Sequence, residues 1–323
     1  PIFFFCFSVF AQDGLRLWRE TAATGKAPAA QLAGAKAYVL EEERFADALQ
    51  RFRQLPQARG VLYFPDASGT LVPYRVEERS IMAADLQQRF PGIRSYVGFG
   101  VGQHRDKRIR FSWSHKGFQA MISALDATPT RFIEKVPDAE GTYLLFAQNE
   151  KRDGAAAWKC GTPTSGAKPE SGARAAKLVD DRLLRRYRLA VAVTGEYTEY
   201  HGGTVADALA AINATMTRVN EVFERDLAVT LELVATNDQL TYTERNNDRF
   251  GGNLNAAVQN TLTSVLGESA YDIGHLFHRA GENGNAGGIG TVCVDGLKGA
   301  AFAATPIPEG DRFDLDFVAH EMG

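Results

Sequence analysis

Few residues in this sequence can do chemistry. Its 323 residues include 6 His and 3 Cys. One histidine stands directly before a glutamate, His320-Glu321 in "DLDFVAHEMG". Two imidazoles four residues apart share one helix face and can take one metal ion. A glutamate beside the first then points at water on that ion, which is the logic of the spacing H-E-x-x-H. Here the second imidazole falls at position 324, so the motif is half present, and the dipeptide alone is close to chance. The sulfur candidates are Cys160 in "AWKCGT" and Cys293 in "GTVCVD". His275 and His278, three apart in "DIGHLFH", would face opposite sides of a strand and are poor joint ligands. His201 reads as a turn residue, and His104 and His115 as surface or packing residues. None of these is assigned to a metal.

A helix opening near Asp311 or Asp314 has to carry His320 and Glu321. Phe317, Val318 and Met322 give it an apolar side. A buried helix seldom carries adjacent His and Glu without partners for them. Ahead of it lies an ordered series. "YRLAVAVT" alternates and reads as a strand. Val205, Leu209, Ile212, Met216, Val219 and Phe223 recur at helical steps. "LAVTLELVA" is a second strand, and "NLNAAVQNTLTSVLG" a second helix stopped by Gly267. "DIGHLFH" is a third strand, and "GNAGGIGTVCV" and "GAAFAAT" are short glycine-bounded strands. Strands alternating with helices imply a mixed, mostly parallel sheet, and the short late strands an antiparallel edge.

The N-terminal part reads differently. Residues 1–11, "PIFFFCFSVFA", look like the end of a signal peptide, with a buried strand as the competing reading. Residues 12–150 mix strand and helix patterns in an α+β or mostly β region. Phe45, Leu49 and Phe52 mark a helix, Asp66 to Gly69 a hairpin turn, and "RSIMAADLQQRFP" a short helix ending at Pro91. Residues 151–185 are rich in Gly, Ala, Ser, Pro and Lys and read as a linker, although Trp158 and Cys160 are odd residues for one. Residues 186–323 carry 19 acidic and 9 basic residues, and residues 1–185 carry 20 and 27. Opposite net charges fit two parts that attract, or two domains of unrelated composition.

Residues 187–323 resemble the N-terminal part of a metzincin catalytic domain, most like the bacterial reprolysin-like, adamalysin-related secreted metallopeptidases. The matching stretches are "YRLAVAVTGEYTEYHGGT", "TMTRVNEVFERDLAVTLELV", "YDIGHLF", "GGIGTVC" and "FVAHEMG". Residues 20–150 resemble the pro-region of the same proteases more loosely. The resemblance implies an α/β catalytic domain of residues 186–323, cut inside the H-E-x-x-H motif, with two or three helices and a pro-region before it. It implies a Zn2+ ligand in His320, a general base in Glu321, and a histidine at position 324. Gly288, Ile289, Gly290 and Thr291 would lie on the edge strand lining the substrate cleft, or on a plain edge hairpin, with Gly287 beside them.

In the same light Cys160 becomes a candidate inhibitory switch, a thiolate on the metal in place of the catalytic water. An incidental or disulfide-bonded cysteine is the alternative. Cys293 would pair with a cysteine beyond residue 323, or with Cys160. Arg182, Arg185 and Arg186 mark a processing site or a solvated charge cluster. The whole reads as the precursor of a secreted zinc endopeptidase acting on proteins or peptides, its pro-region docked on the catalytic domain. No nucleic acid or stable membrane anchor is expected, and the 323-residue chain itself is expected to be inactive. A non-catalytic binding or adhesion protein of the same fold, and a pappalysin-like metzincin, are the competing readings.

Overall fold

A computed structural model describes residues 17–22, 34–55, 59–126, 128–147, 160–162 and 181–323. Residues 1–11, Trp158 and most of the linker lie outside them. The chain forms two units that do not follow it in blocks. One takes residues 1–78, 97–109 and 122–147, and the other 79–96, 110–121 and 148–323.

The N-terminal strands build one nine-stranded sheet. In chain order they are β1 (Trp18–Thr21), β2 (Lys36–Leu40), β3 (Arg59–Pro65), β4 (Leu71–Glu78), β5 (Arg94–Gly100), β6 (Lys107–Ser114), β7 (Gly117–Ala124), β8 (Arg131–Lys135) and β9 (Thr142–Ala147). The spatial order is β1-β2-β9-β8-β7-β6-β5-β4-β3. The pairs β1–β2, β2–β9, β8–β9 and β3–β4 are antiparallel. This large antiparallel sheet differs from the mostly parallel sheet expected further along the chain.

Helix α1 (Glu42–Gln54) buries Phe45 and Leu49, as its spacing predicts. Phe52 lies against Gly60, whose missing Cβ would sit 2.1 Å from its ring. The β3–β4 hairpin turns where expected: Asp66 Oδ1 accepts from the Ser68 and Thr70 amides, and Gly69 has φ +89°. The glycine run "GFGVG" begins inside β5, which ends at Gly100. Gly98 lies within β5, because a Cβ there would meet Ile109 at 2.6 Å and the sheet packs too closely for one. Helix α2 (Ala84–Arg89) is the short helix expected before Pro91.

The second sheet has the mixed, mostly parallel form read from the sequence. Its strands are β10 (Arg185–Val193), β11 (Val229–Leu233), β12 (Ile273–His278), β13 (Asn283–Asn285) and β14 (Ala301–Ala304), in the order β11-β10-β12-β14-β13. Only the β13–β14 pair is antiparallel. Leu189, Val191 and Val193 of β10 face one core with α4 (Val205–Asp226). Ala190 and Ala192 face another with Val258 and Leu262 of α5 (Leu254–Leu266). Helices therefore cover both faces, as a parallel sheet requires.

Thr204 caps α4 by accepting from the Asp207 amide at 3.1 Å, and Asn253 caps α5 by accepting from the Ala256 amide at 3.1 Å. Gly267 ends α5 at φ +82°. A further helix, α3 (Gly195–Tyr200), follows β10 and was not expected. Two asparagines lock the sheet. Asn237 takes both backbone groups of Val191, and Asn220 both of Leu231.

Gly288, Ile289, Gly290 and Thr291 do not lie on an edge strand. The antiparallel edge is β13, and residues 287–299 form a loop after it. Left-handed backbone at Gly287, Gly290, Cys293 and Gly296 recurs every third residue, with φ between 62° and 79°. No ladder propagates through such a run.

Candidate metal centre

The chain reaches the site through a π-helical segment, Arg312–Ala319, which runs directly into the α-helical turn His320–Met322. A π-helix has more residues per turn, so side chains four and five apart share a face. Phe313, Asp314, Phe317 and Val318 are the residues it buries. Phe313 packs edge-on against Phe277 of β12, ring centres 5.3 Å apart. Neither Asp311 nor Asp314 caps the helix with its side chain. Asp314 instead accepts from Arg218 Nη1 at 2.9 Å and Thr215 Oγ1 at 2.7 Å, both on α4. This buried ion pair fixes the segment on α4 six residues before His320. Breaking it by removing one partner strands a charge in the core.

His320 is exposed and Glu321 buried. Glu321 Oε2 takes a hydrogen bond from Thr162 Oγ1 at 3.3 Å and lies 3.9 Å from Cys160 Sγ. Glu321 Oε1 is buried without a hydrogen-bond partner. Burial raises the Glu321 carboxyl above the usual carboxylate range, opposed by the charge of His320 and the hydrogen bonds of Thr162 and Cys160. A base held in this way takes up a proton more readily than a free glutamate does.

Cys160 reaches the site on a strap of three described residues. Gly161 N donates to Gly284 O at 2.9 Å, and Asn285 Nδ2 donates to Gly161 O at 2.8 Å. The Ala286 amide donates to Thr162 Oγ1 at 2.8 Å. The strap therefore lies along β13, the outer strand of the sheet. A Cβ on Gly161 would stand 3.1 Å from Gly284 O, so a glycine suits this close approach.

Donor atoms of Cys160, His320 and Glu321 lie within 4.8 Å of one another, the one such group of three or more among the described residues. A thiolate, an imidazole and a carboxylate oxygen lacking a protein partner are the donor types Zn2+ takes. The residues present therefore fit that ion. They open onto a cleft of about 330 Å³, which Gly288, Ile289, Gly290 and Thr291 also line, as loop rather than strand.

The remaining histidines lie elsewhere. His201 follows α3, with Nε2 3.2 Å from Pro308 O, and burial lowers it to about 4. His278 Nδ1 is 2.9 Å from Thr194 Oγ1. His275 is fully buried in β12. Cys160 and Cys293 are both free thiols, so they are not paired with each other. Sequence reasoning missed Thr162, Asn285, Arg218 and Asp314. Of these only Asp314 left a trace, an acid between the apolar Phe313 and Leu315.

No curated protein matches the chain. Residues 184–323 match the family model described as metallo-peptidase family M12B, reprolysin-like. That span contains the whole five-stranded sheet, α3 to α5, and the helix of His320 and Glu321. Residues 184–323 are therefore similar to the reprolysin-like metallopeptidases of family M12B.

Proposed function

We propose that this chain is the latent form of a secreted zinc-dependent endopeptidase, with residues 12–150 as its pro-region. One observation carries the reading. The carboxylate that would act as base is held by Thr162 and stands beside Cys160, on a strap that follows the sheet's outer strand. His320 and, in the latent state, Cys160 would hold the metal. Bound zinc supplies Lewis acidity, which polarises a scissile carbonyl and makes water acidic enough to attack near neutral pH.

The residues of the chain do the rest. Glu321 takes the proton of the attacking water and returns it to the leaving amine, and its raised proton affinity suits both steps. The outer face of β13, where Gly284 and Ala286 now bond the strap, offers main-chain groups to an extended peptide once the strap leaves. Gly288 to Thr291 would wall the cleft beside it. Cys160 and Thr162 would block both needs at once: the thiol would serve as a ligand to the metal, and the hydroxyl holds the base.

Secretion rests on the apolar run of residues 1–11. Among the described residues no helix is long and apolar enough to cross a membrane. The test is a peptidase assay on the full-length protein cut in the linker. Cleavage of unfolded protein should need Zn2+, stop with chelator, and fall about 100-fold or more in Glu321→Gln. The uncut protein should show little, because Cys160 and Thr162 then stand at Glu321. Full activity in Glu321→Gln would refute the assignment, and no cleavage by the processed protein would favour the non-catalytic reading.

A further inference from the structure

Helix α4 is buried on more than its sheet side. Leu209, Met216 and Val219 face β10, while Asn213, Glu221 and the start of the helix meet residues 79–96 and 110–121, which belong to the same compact unit. Arg110 of β6 is fully buried, with Nε 3.4 Å from Glu221 and Nη2 hydrogen-bonded to Glu224. Lys116 and His115 reach Asp207 at 2.8 Å, and Asn213 donates to Arg94 O. Ile81, Met82, Leu86 and Ile93 share the core of Leu209 and Leu233. The Ala83 amide donates to Leu233 O at 2.9 Å, and the Leu233 amide to Ile81 O at 2.7 Å. Apolar, ionic and main-chain contacts thus converge on α4 and β11. None of them involves Cys160, Thr162 or the strand β13 that the strap follows.

We propose that residues 79–96 and 110–121 are an anchor that holds the N-terminal part on α4 and β11 independently of the Cys160 strap. The inference rests on the reading of that part as a pro-region. Its basic side chains Arg110 and Lys116 meet the acidic Asp207, Glu221 and Glu224 of α4. A cut between residues 163 and 180 would then free the strap from its tether but leave the two pieces bound. Activation becomes two events: release of the thiol and displacement, or second cleavage, of the anchor. Removing one partner of the buried Arg110 pair strands the other charge, so Arg110 is the sensitive point of the anchor.

The experiment inserts a site-specific protease sequence between residues 163 and 180 of the 323-residue chain. The chain is cut under reducing conditions with chelator, so that no thiol–metal bond contributes, and run on size exclusion at micromolar concentration. The pieces should co-elute, with or without Cys160→Ser, and the Leu233 amide should keep its hydrogen-exchange protection. Arg110→Ala should speed separation of the cut pieces at least tenfold. If Arg110→Ala disturbs the uncut chain, the native cut pieces and the Leu233 amide still decide. Separation of the native pieces on the column, or release by Cys160→Ser alone, overturns the anchor. The zymogen reading fails by a different result, undiminished peptidase activity in Glu321→Gln, to which retention of the pieces is indifferent.

Discussion

Replacing His275 by leucine should make the C-terminal unit less sensitive to acid, by an amount the structure sets. His275 lies in the central strand β12, fully buried, against Phe277 at 5.5 Å between ring centres. Both ring nitrogens are buried without a hydrogen-bond partner. Burial alone lowers it from 6.5 to about 3. Between those values the unfolded chain binds a proton at this residue and the folded chain does not. Stability contributed by the neutral ring is therefore complete above pH 6.5 and is lost as pH falls towards 3, at about 1.4 kcal/mol per pH unit. From pH 8 to pH 5 the loss is about 2 kcal/mol. His201 titrates in the same direction but is present in both proteins and cancels. Leucine fills a similar volume and leaves no unpaired polar atom, so its cost at pH 8 is within about 1.5 kcal/mol of zero. Urea unfolding by far-UV circular dichroism at pH 8 and pH 5 gives the comparison. His275→Leu should gain about 2 kcal/mol on the native protein between the two. A gain under about 0.5 kcal/mol, or an NMR titration of His275 near its unperturbed value, refutes the argument.

Three further outcomes follow from the same geometry. Asp314→Ala strands the buried Arg218 and should cost about 3–5 kcal/mol, read as a fall in unfolding midpoint. A change below about 1 kcal/mol would mean the pair does not anchor the helix. Gly161→Val puts a branched side chain within 3.1 Å of Gly284 O and should lift the strap, so Cys160 alkylation by iodoacetamide should rise at least threefold. An unchanged rate would show that the strap is not held at β13. Thr162→Val removes the hydroxyl that holds Glu321 and receives the Ala286 amide. It should raise the basal peptidase activity of the uncut full-length protein, and equal activity would limit Thr162 to a packing role.

The C-terminal scaffold was legible because its signals are local. Alternation in β10, the helical steps of α4 and the Asn253 and Gly267 boundaries of α5 each sit within one element. α3 escaped because six residues are too few for a period, and its start depends on Thr194 accepting from the Tyr197 amide. β13 was met only in part, because the strand expected from Gly284 runs on into the loop; Asn283, Gly284 and Asn285 have no strand preference, and their extended form comes from pairing with β14. The loop after it was misread as strand because its Val and Ile residues outweighed the glycines that turn it. The site was legible only at His320, Glu321 and Cys160. Thr162 meets Glu321 across 159 positions, and Arg218 meets Asp314 across 96. No window along the chain reveals a partner at that distance, so Asp314 read as a cap.

The two outer strands of the five-stranded sheet are both covered by residues that precede it in the chain. Ile81 to Ala83 bond along β11, and Gly161 and Thr162 along β13. Uncovered outer strands invite other chains to add to them. Losing the N-terminal part would therefore open two templates, of which only the one beside Glu321 is useful for binding a peptide. The other, Val229–Leu233, would be a liability for self-association. Solubility of the mature domain should therefore depend on what replaces Ile81, Met82 and Ala83 along that strand. A polar or charged substitution at Val229 or Leu231 would have to balance monodispersity against the core that Leu231 helps to fill.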